Sequence, residues 1–254
     1  MSLQTTACSA CRAEVGLFPF TMAFQPVVDV VAGRIVAQEA LVRGPAGQGA
    51  CHVLGQLNDQ NLYAFDQACR VRAIEMAARL RVDCELNINF LPNAVYEPRA
   101  CIRRTLETAR RTGFPLNRLT FEIVESERIA DTDHMRNIIQ EYRRHGFKIA
   151  LDDFATGYSG LARLAELRPD IIKIDRVLVQ GCDRDRVRLA IIAALVGLGA
   201  ELGIKVVGEG VERAEEVAAL RGTGLRFMQG FLFARPVLEG LADPAEVLAP
   251  LRLA

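Results

Sequence analysis

Eight short β-rich runs recur along the chain, and stretches of helical periodicity separate most of them. The runs are Met22–Val31, Arg34–Arg43, Glu85–Asn89, Leu119–Val124, Lys148–Leu151, Ile171–Ile174, Lys205–Glu209 and Arg226–Gln229. Helical patterns fill Leu62–Leu80, Ala100–Thr112, Asp133–His145, Arg184–Leu202 and Glu212–Arg221. ADPAEVLAPL near the end reads as a last helix with Pro244 in its first turn.

Strands alternating with helices specify a mostly parallel sheet. Eight strands in 254 residues favour a closed barrel, which takes about 250 residues, over an open doubly wound sheet. Only a short AGR turn joins the first two runs, so they read as a hairpin and one strand must run antiparallel. The expected fold class is α/β, a modified TIM-like (β/α)8 barrel with one antiparallel strand. No internal Pro/Ser-rich linker interrupts the pattern. The chain therefore reads as an N-terminal arm over residues 1–20, containing CSAC, and one domain over residues 21–254.

Seven scattered cysteines, an odd number in a chain this long, suit a reducing compartment rather than a disulfide framework. Cys8 and Cys11 have CxxC spacing. A zinc site there needs two further ligands, and Cys51, His52, His134 and His145 are scattered; the alternative is a pair of free thiols in a loose arm. Met1–Phe20 has neither a basic start nor a continuous apolar segment. Glu201 interrupts the longest apolar stretch, Leu189–Ile204, which is shorter than the roughly 18 residues of a spanning helix. The expectation is a buried helix and a cytoplasmic chain without membrane insertion. Lys+Arg equals Asp+Glu at 31 each. The lack of a basic excess argues against a polymeric nucleic acid and leaves a small phosphorylated substrate open.

Barrel active sites form at the carboxyl ends of the strands, and there the runs carry polar groups. Glu39 and Arg43 lie in QEALVR, and Asn89 ends LNIN. Glu122 and Glu125 lie in FEIVE, and Asp152 and Asp153 end ALDD. Lys173 and Asp175 lie in IIKID, and Glu209 and Gln229 end the last two runs. A strand reaching the surface also turns polar, but most of these acids are embedded in, or directly end, β-branched runs. Converging carboxylates raise one another's pKa values unless a cation intervenes. Glu39, Asn89, Glu122, Asp152, Asp153 and Glu209 offer only oxygen donors, which suit Mg2+ or Mn2+ better than zinc. Five carboxylates exceed the needs of one ion, so two are expected, and a metal pair can activate water for in-line attack on a phosphodiester. Lys173 could take a proton from that water or hold it in place. It could also form a plain salt bridge with Asp152 or Asp175. Arg43 could pair with a phosphate oxygen.

With these residues assembled, the chain resembles the EAL-domain cyclic di-GMP phosphodiesterases. EALVRG, Glu39–Gly44, is similar to the family's E-x-L-x-R element. FQPVVD precedes it, and LNINF, FEIVESE, LDDFATGYSGL, IIKID, VVGEGVE and MQGFLFARP follow, from Phe24 to Pro236. The resemblance implies a barrel with one antiparallel strand and Mg2+- or Mn2+-dependent hydrolysis of cyclic di-GMP to linear pGpG. It implies metal ligands at Glu39, Asn89, Glu122, Asp152, Asp153 and Glu209. Lys173 would stand close to the catalytic water. Substrate contacts would come from Gln25, Arg43 and Gln229, with Leu41, Asp175 and Glu212 beside them. Glu125 would brace the loop after the paired aspartates, which in the family links the site to a homodimer interface. The arm is open to a protein partner. The alternative reading is a degenerate domain that senses cyclic di-GMP, or regulates a protein, without turnover; no expected ligand is missing. Five positions depart from the family pattern: Val124, Ala155, Phe90, Leu91 and Arg226. Val124 and Ala155 lie in or near the bracing loop and bear on rate or regulation rather than on the chemistry.

Overall fold

The computed structural model describes residues 17–95, 97–124, 132–154 and 160–252. β1 (Thr21–Asp29) and β2 (Arg34–Arg43) form the antiparallel hairpin. From β2 onward, β3 (Glu85–Asn89), β4 (Leu119–Val124), β5 (Lys148–Phe154), β6 (Ile171–Ile174), β7 (Lys205–Gly208) and β8 (Phe227–Met228) pair in parallel, in chain order. β8 then pairs antiparallel with β1, and the sheet closes. A short ninth strand, β9 (Val237–Leu238), pairs with β1 at Ala23 and Phe24. Paired on both edges, β1 is buried along its whole length.

The helices are α1 (Ala50–Leu54), α2 (Leu62–Arg79), α3 (Pro98–Cys101), α4 (Arg103–Thr112), α5 (Thr132–Arg144), α6 (Gly160–Leu167), α7 (Arg176–Val179), α8 (Arg186–Leu202), α9 (Ala214–Gly222) and α10 (Pro244–Leu248). The single helix expected over Ala100–Thr112 is two, α3 and α4. Proline at the first turn starts it two residues early, and Ile102 joins the halves in right-handed helical backbone. Sequence periodicity finds neither α6 nor α7, at eight and four residues, nor the two-residue β9; each is too short to display a period. Among the described residues no helix is long and apolar enough to cross a membrane.

Alternation along the strands sorts side chains to two sides of the barrel wall. Leu86, Ile88, Leu119, Phe121, Ile123, Ile149 and Leu151 join the main core beneath the helices. The alternate positions meet along the axis in layers. Glu85, Lys148 and Lys205, each first in its strand, lie at the amino mouth. Val27, Ala37, Ala150, Ile171 and Val207 form a separate apolar cluster in the middle. Gln25, Glu39, Glu122, Asp152 and Lys173 lie towards the carboxyl mouth. The barrel is thus a packed core with a polar chamber at each end.

Candidate active site

Lys173 is third in β6, between Ile172 and Ile174, so alternation turns it to the axis; it is 1% exposed. Its Nζ lies 3.2 Å from Glu39, 3.0 Å from Glu122, 3.0 Å from Asp152 and 2.7 Å from Glu209. The strands β2, β4 and β5, and the residue after β7, each contribute one of these carboxylates. The salt bridge to Asp152 is formed as one of four, and the one to Asp175 is not among them.

Adjacent residues in a regular strand face opposite ways, so Asp152 and Asp153 cannot both face the site without a break in the pleat. The break is present. Leu151 pairs with Ile172 and Phe154 with Ile174, so β5 uses three steps where β6 uses two. Asp153 absorbs the extra residue in left-handed backbone, φ 53°. This is a β-bulge re-aiming a side chain beside a site, and left-handed backbone outside glycine costs on the order of 1–3 kcal/mol.

One oxygen each from Glu39, Glu122 and Asp152 lies within 4.8 Å of the others, and the same holds for Asp152, Asp153 and Glu209. Asp152 belongs to both groups. Its buried Oδ1 makes no hydrogen bond although it faces the ammonium. A set of oxygen donors, one shared and not satisfied by hydrogen bonding, fits two hard divalent cations.

The surrounding amides hold these carboxylates in place. Asn89 Nδ2 donates to Glu39 at 3.0 Å, and turning that amide over would present its oxygen instead. Gln229 Nε2 donates to Glu39 at 2.9 Å and to Gln25 at 3.2 Å. Gly230, next in the chain, packs where a Cβ would come within 2.0 Å of the Val211 carbonyl oxygen, so only glycine fits beside Gln229. Asn87, not anticipated from sequence, donates to Glu122 at 2.8 Å. Its signal was available: Asn87 and Asn89 are two apart on β3 and share a face.

Charge crowding sets the protonation. Burial raises Glu122 well above the usual carboxylate range, and the charge of Glu39 adds to it. Burial also raises Glu209, against the pull of Lys173. Asp153 is pushed up to about 6 by burial and by Asp152 and Asp175. Burial opposes the charge on Glu39 too, but Lys173 and hydrogen bonds from Gln229 and Asn89 more than offset it and hold Glu39 low. Burial alone would depress Lys173; Asp152, Glu122, Glu209 and Glu39 reverse this and keep it an ammonium.

Two cavities flank the chamber. A cleft of about 260 Å3 is lined by Gln25, Glu39, Leu41, Asp152, Asp153, Lys173, Asp175, Glu209, Glu212 and Gln229, bringing together most of the expected site. Arg176, Gln180 and Phe231 also line it. No sequence pattern marks Arg176 or Gln180, and Phe231 stands in the QGF element. Asp175 caps α7 by accepting from Val177 N at 2.7 Å, and Glu212 accepts from Gln180 at 3.1 Å. Buried Glu216 accepts from the backbone N–H groups of Gly181, Glu212 and Arg213, fixing the segment after Glu209. A second cavity of about 310 Å3, mostly apolar, shares Glu39, Leu41 and Asp152 and reaches Asn89. Arg43 lines neither cavity; its guanidinium donates to the Val42 carbonyl at 2.7 Å. Glu125, Cys8, Cys11 and Ala155 lie outside the described residues, as does the side chain of Val124.

Two departures from the family pattern have structural partners. Phe90 turns outward behind Asn89 and packs on Phe121 and Tyr142. The buried Arg70 guanidinium lies 5.3 Å from the centres of both Phe90 and Phe121, beside its ion pair with Asp66. Asp66 also accepts Leu91 N at 3.0 Å. This cluster on α2 clamps the residues beside Asn89 and Glu122 from outside the barrel. Arg226 pairs with buried Asp29 at 2.7 Å, far from the chamber.

A family model described as the EAL domain matches residues 14–236. The antirepressor BluF of Escherichia coli is 31% identical over 88% of this chain and 56% of its own length. The cyclic di-GMP phosphodiesterase NbdA of Pseudomonas aeruginosa is 30% identical over 84% of this chain and 28% of its own. The chain thus spans little more than half, or less, of these curated relatives. Among solved structures, a standalone versatile EAL protein from Vibrio cholerae O395, in its c-di-GMP-bound form, superposes with a TM-score of 0.86 and 44% identity, covering 90% of this chain and 98% of that one. Klebsiella pneumoniae BlrP1, as a manganese/cy-diGMP complex, superposes with a TM-score of 0.82 and 34% identity, covering 91% and 59%.

Proposed function

The chain belongs to the EAL-domain family, and on that premise we propose that it hydrolyses cyclic di-GMP to linear pGpG. The observation that carries this reading is the pair of carboxylate groups that share Asp152 around Lys173. The cavities on either side of them support it, since a cyclic dinucleotide has two bases to seat about its phosphodiesters. The names of NbdA and of the ligand-bound structures point the same way.

Mg2+ or Mn2+ ions held by Glu39, Asn89, Glu122, Asp152, Asp153 and Glu209 would supply Lewis-acid activation of water and neutralise phosphodiester charge. Lys173, kept an ammonium by its four carboxylates, serves as a donor that orients a water or steadies phosphate charge, rather than as a base. Gln25, Leu41 and Gln229 contact substrate from the cleft floor, and Asp175 and Glu212 from its rim. Arg43 meets a phosphate oxygen by turning away from Val42. We further propose a homodimer through α7 and α8, where Val177 and Val187 leave 63% and 68% of their surface exposed.

Incubation of the purified chain with cyclic di-GMP and Mg2+ or Mn2+, with products separated by chromatography, tests the proposal. Accumulation of pGpG supports it. Tight binding without product overturns the enzyme reading in favour of a receptor or regulator, a role that BluF's designation as an antirepressor keeps in view.

A further inference from the structure

At the amino mouth, opposite the candidate active site, a cavity of about 660 Å3 opens. Its walls are strand starts, because a barrel brings the first residues of its parallel strands to one end. Arg34 begins β2, Glu85 β3, Lys148 β5 and Lys205 β7; Arg118 and Arg226 immediately precede β4 and β8. Asp29 ends antiparallel β1 and so arrives at the same end.

Five cations line this cavity against three acids, Asp29, Asp83 and Glu85. The acids do not cover the cations. Glu85 alone serves two lysines, pairing with Lys148 and, at 3.0 Å, with Lys205. Asp29 is taken by Arg226. Among the described residues neither Arg34 nor Arg118 has an ion-pair partner, and Asp83 is exposed to solvent. Lys205 and Arg226 also stand over the Phe227 ring, 5.0 and 5.5 Å from its centre, which fixes them on the cavity wall. Unbalanced cations around a concave, partly apolar wall focus positive potential into it.

We propose that this cavity binds a small anion bearing a diphosphate group. Five cations against three acids leave an excess of two, which matches an anion of two or more charges. Cations converge on it from several strand ends rather than along a stripe, which suits a compact ligand better than an acidic peptide. Guanidinium forks at Arg34 and Arg118 and ammonium groups at Lys148 and Lys205 suit several phosphate oxygens at once. The apolar layer of Val27, Ala37, Ala150, Ile171 and Val207 separates this cavity from the carboxyl mouth, so the proposal stands apart from the hydrolase reading.

Isothermal titration of the whole chain with inorganic pyrophosphate and with GDP tests it, at low ionic strength and with EDTA present so that the acidic mouth repels both. One site is expected, weakened at least about tenfold in Arg34→Gln/Arg118→Gln, which is about 1.4 kcal/mol, and unchanged in Glu39→Gln. Among the described residues neither arginine takes part in an ion pair, so the double variant keeps the surrounding ion pairs; Arg34→Gln alone, at an exposed position, should show part of the loss. Equal binding of the two ligands assigns the affinity to the phosphates, and tighter GDP adds its nucleoside. No binding of either at millimolar concentration, or binding that Glu39→Gln removes and the arginine variants do not, overturns the proposal.

Discussion

At the carboxyl mouth one ammonium, Lys173, faces the carboxylates of Glu39, Glu122, Asp152 and Glu209, whereas at the amino mouth one carboxylate, Glu85, faces the ammonium groups of Lys148 and Lys205. The two ends invert each other in charge but differ in burial. The side chains of Lys173 and Glu122 are 1% and 0% exposed, and those of Lys148 and Glu85 are 37% and 19%. Where water is excluded, unmatched charge shifts pKa values and calls for a counter-ion; where water enters, it screens the same imbalance. Similar ion-pair chemistry therefore yields a demanding site at one end and a tolerant one at the other.

The contrast breaks most readily at Glu39. Glu39→Ala should lower Mn2+-dependent hydrolysis of cyclic di-GMP about a thousandfold or more, while Glu85→Gln should change it by less than about twofold; full activity in Glu39→Ala would remove the proposed centre. Next is stability without metal. Lys173→Met leaves buried carboxylates unmatched and should cost about 3–5 kcal/mol in urea unfolding, against about 1 kcal/mol or less for Glu85→Gln. Added Mn2+ should recover much of the Lys173→Met loss, and equal losses at the two ends would end the comparison.

Behind the acidic mouth, Arg70→Lys removes a planar group stacked on Phe90 and Phe121. Mn2+ affinity should fall about 10–100-fold with pyrophosphate binding at the amino mouth unchanged; a parallel fall in both would indicate general unfolding. Protons report the difference more gently. Burial raises Glu122 and Glu209 and pushes Asp153 up to about 6, and cations bind the deprotonated form. Mn2+ uptake should therefore release protons and tighten with rising pH, which titration in buffers of different ionisation enthalpy reads directly. At the amino mouth the pKa shift has the opposite direction. Burial pushes Glu85 up, but Lys148 and Lys205 outweigh it and hold it low. Its contribution, about 1 kcal/mol or less, is present above the ordinary carboxylate range and lost as pH falls through the depressed pKa. The stability gap between wild type and Glu85→Gln should close on acidification, and a gap that persists in acid would exclude this cause.

Much of the carboxyl mouth is legible in the sequence because strand alternation is local. Glu39, Glu122 and Lys173 stand inside β-branched runs, and period-two counting turns them to one side. The paired aspartates are legible as acids but not as neighbours, since bringing both to the site takes the left-handed turn at Asp153 and its bulge against β6. Phe90 departs from a motif in sequence; in the structure it closes an aromatic cage around Arg70, a residue 20 positions earlier on another element. Gln180 and Arg176 reach the cleft only through the placement of α7.

The order and number of the barrel strands, the antiparallel hairpin that opens it, and a donor set made only of oxygens can all be read along the chain. Those properties follow from side-chain period and chemistry within a few neighbouring residues. The tertiary structure decided which carboxylates meet, that Asp152 is common to both groups, and that Arg34, Arg118, Lys148 and Lys205 share one cavity. Local period tells a side chain which way to face. Distances across the axis exist only once β8 returns to β1 and the barrel closes.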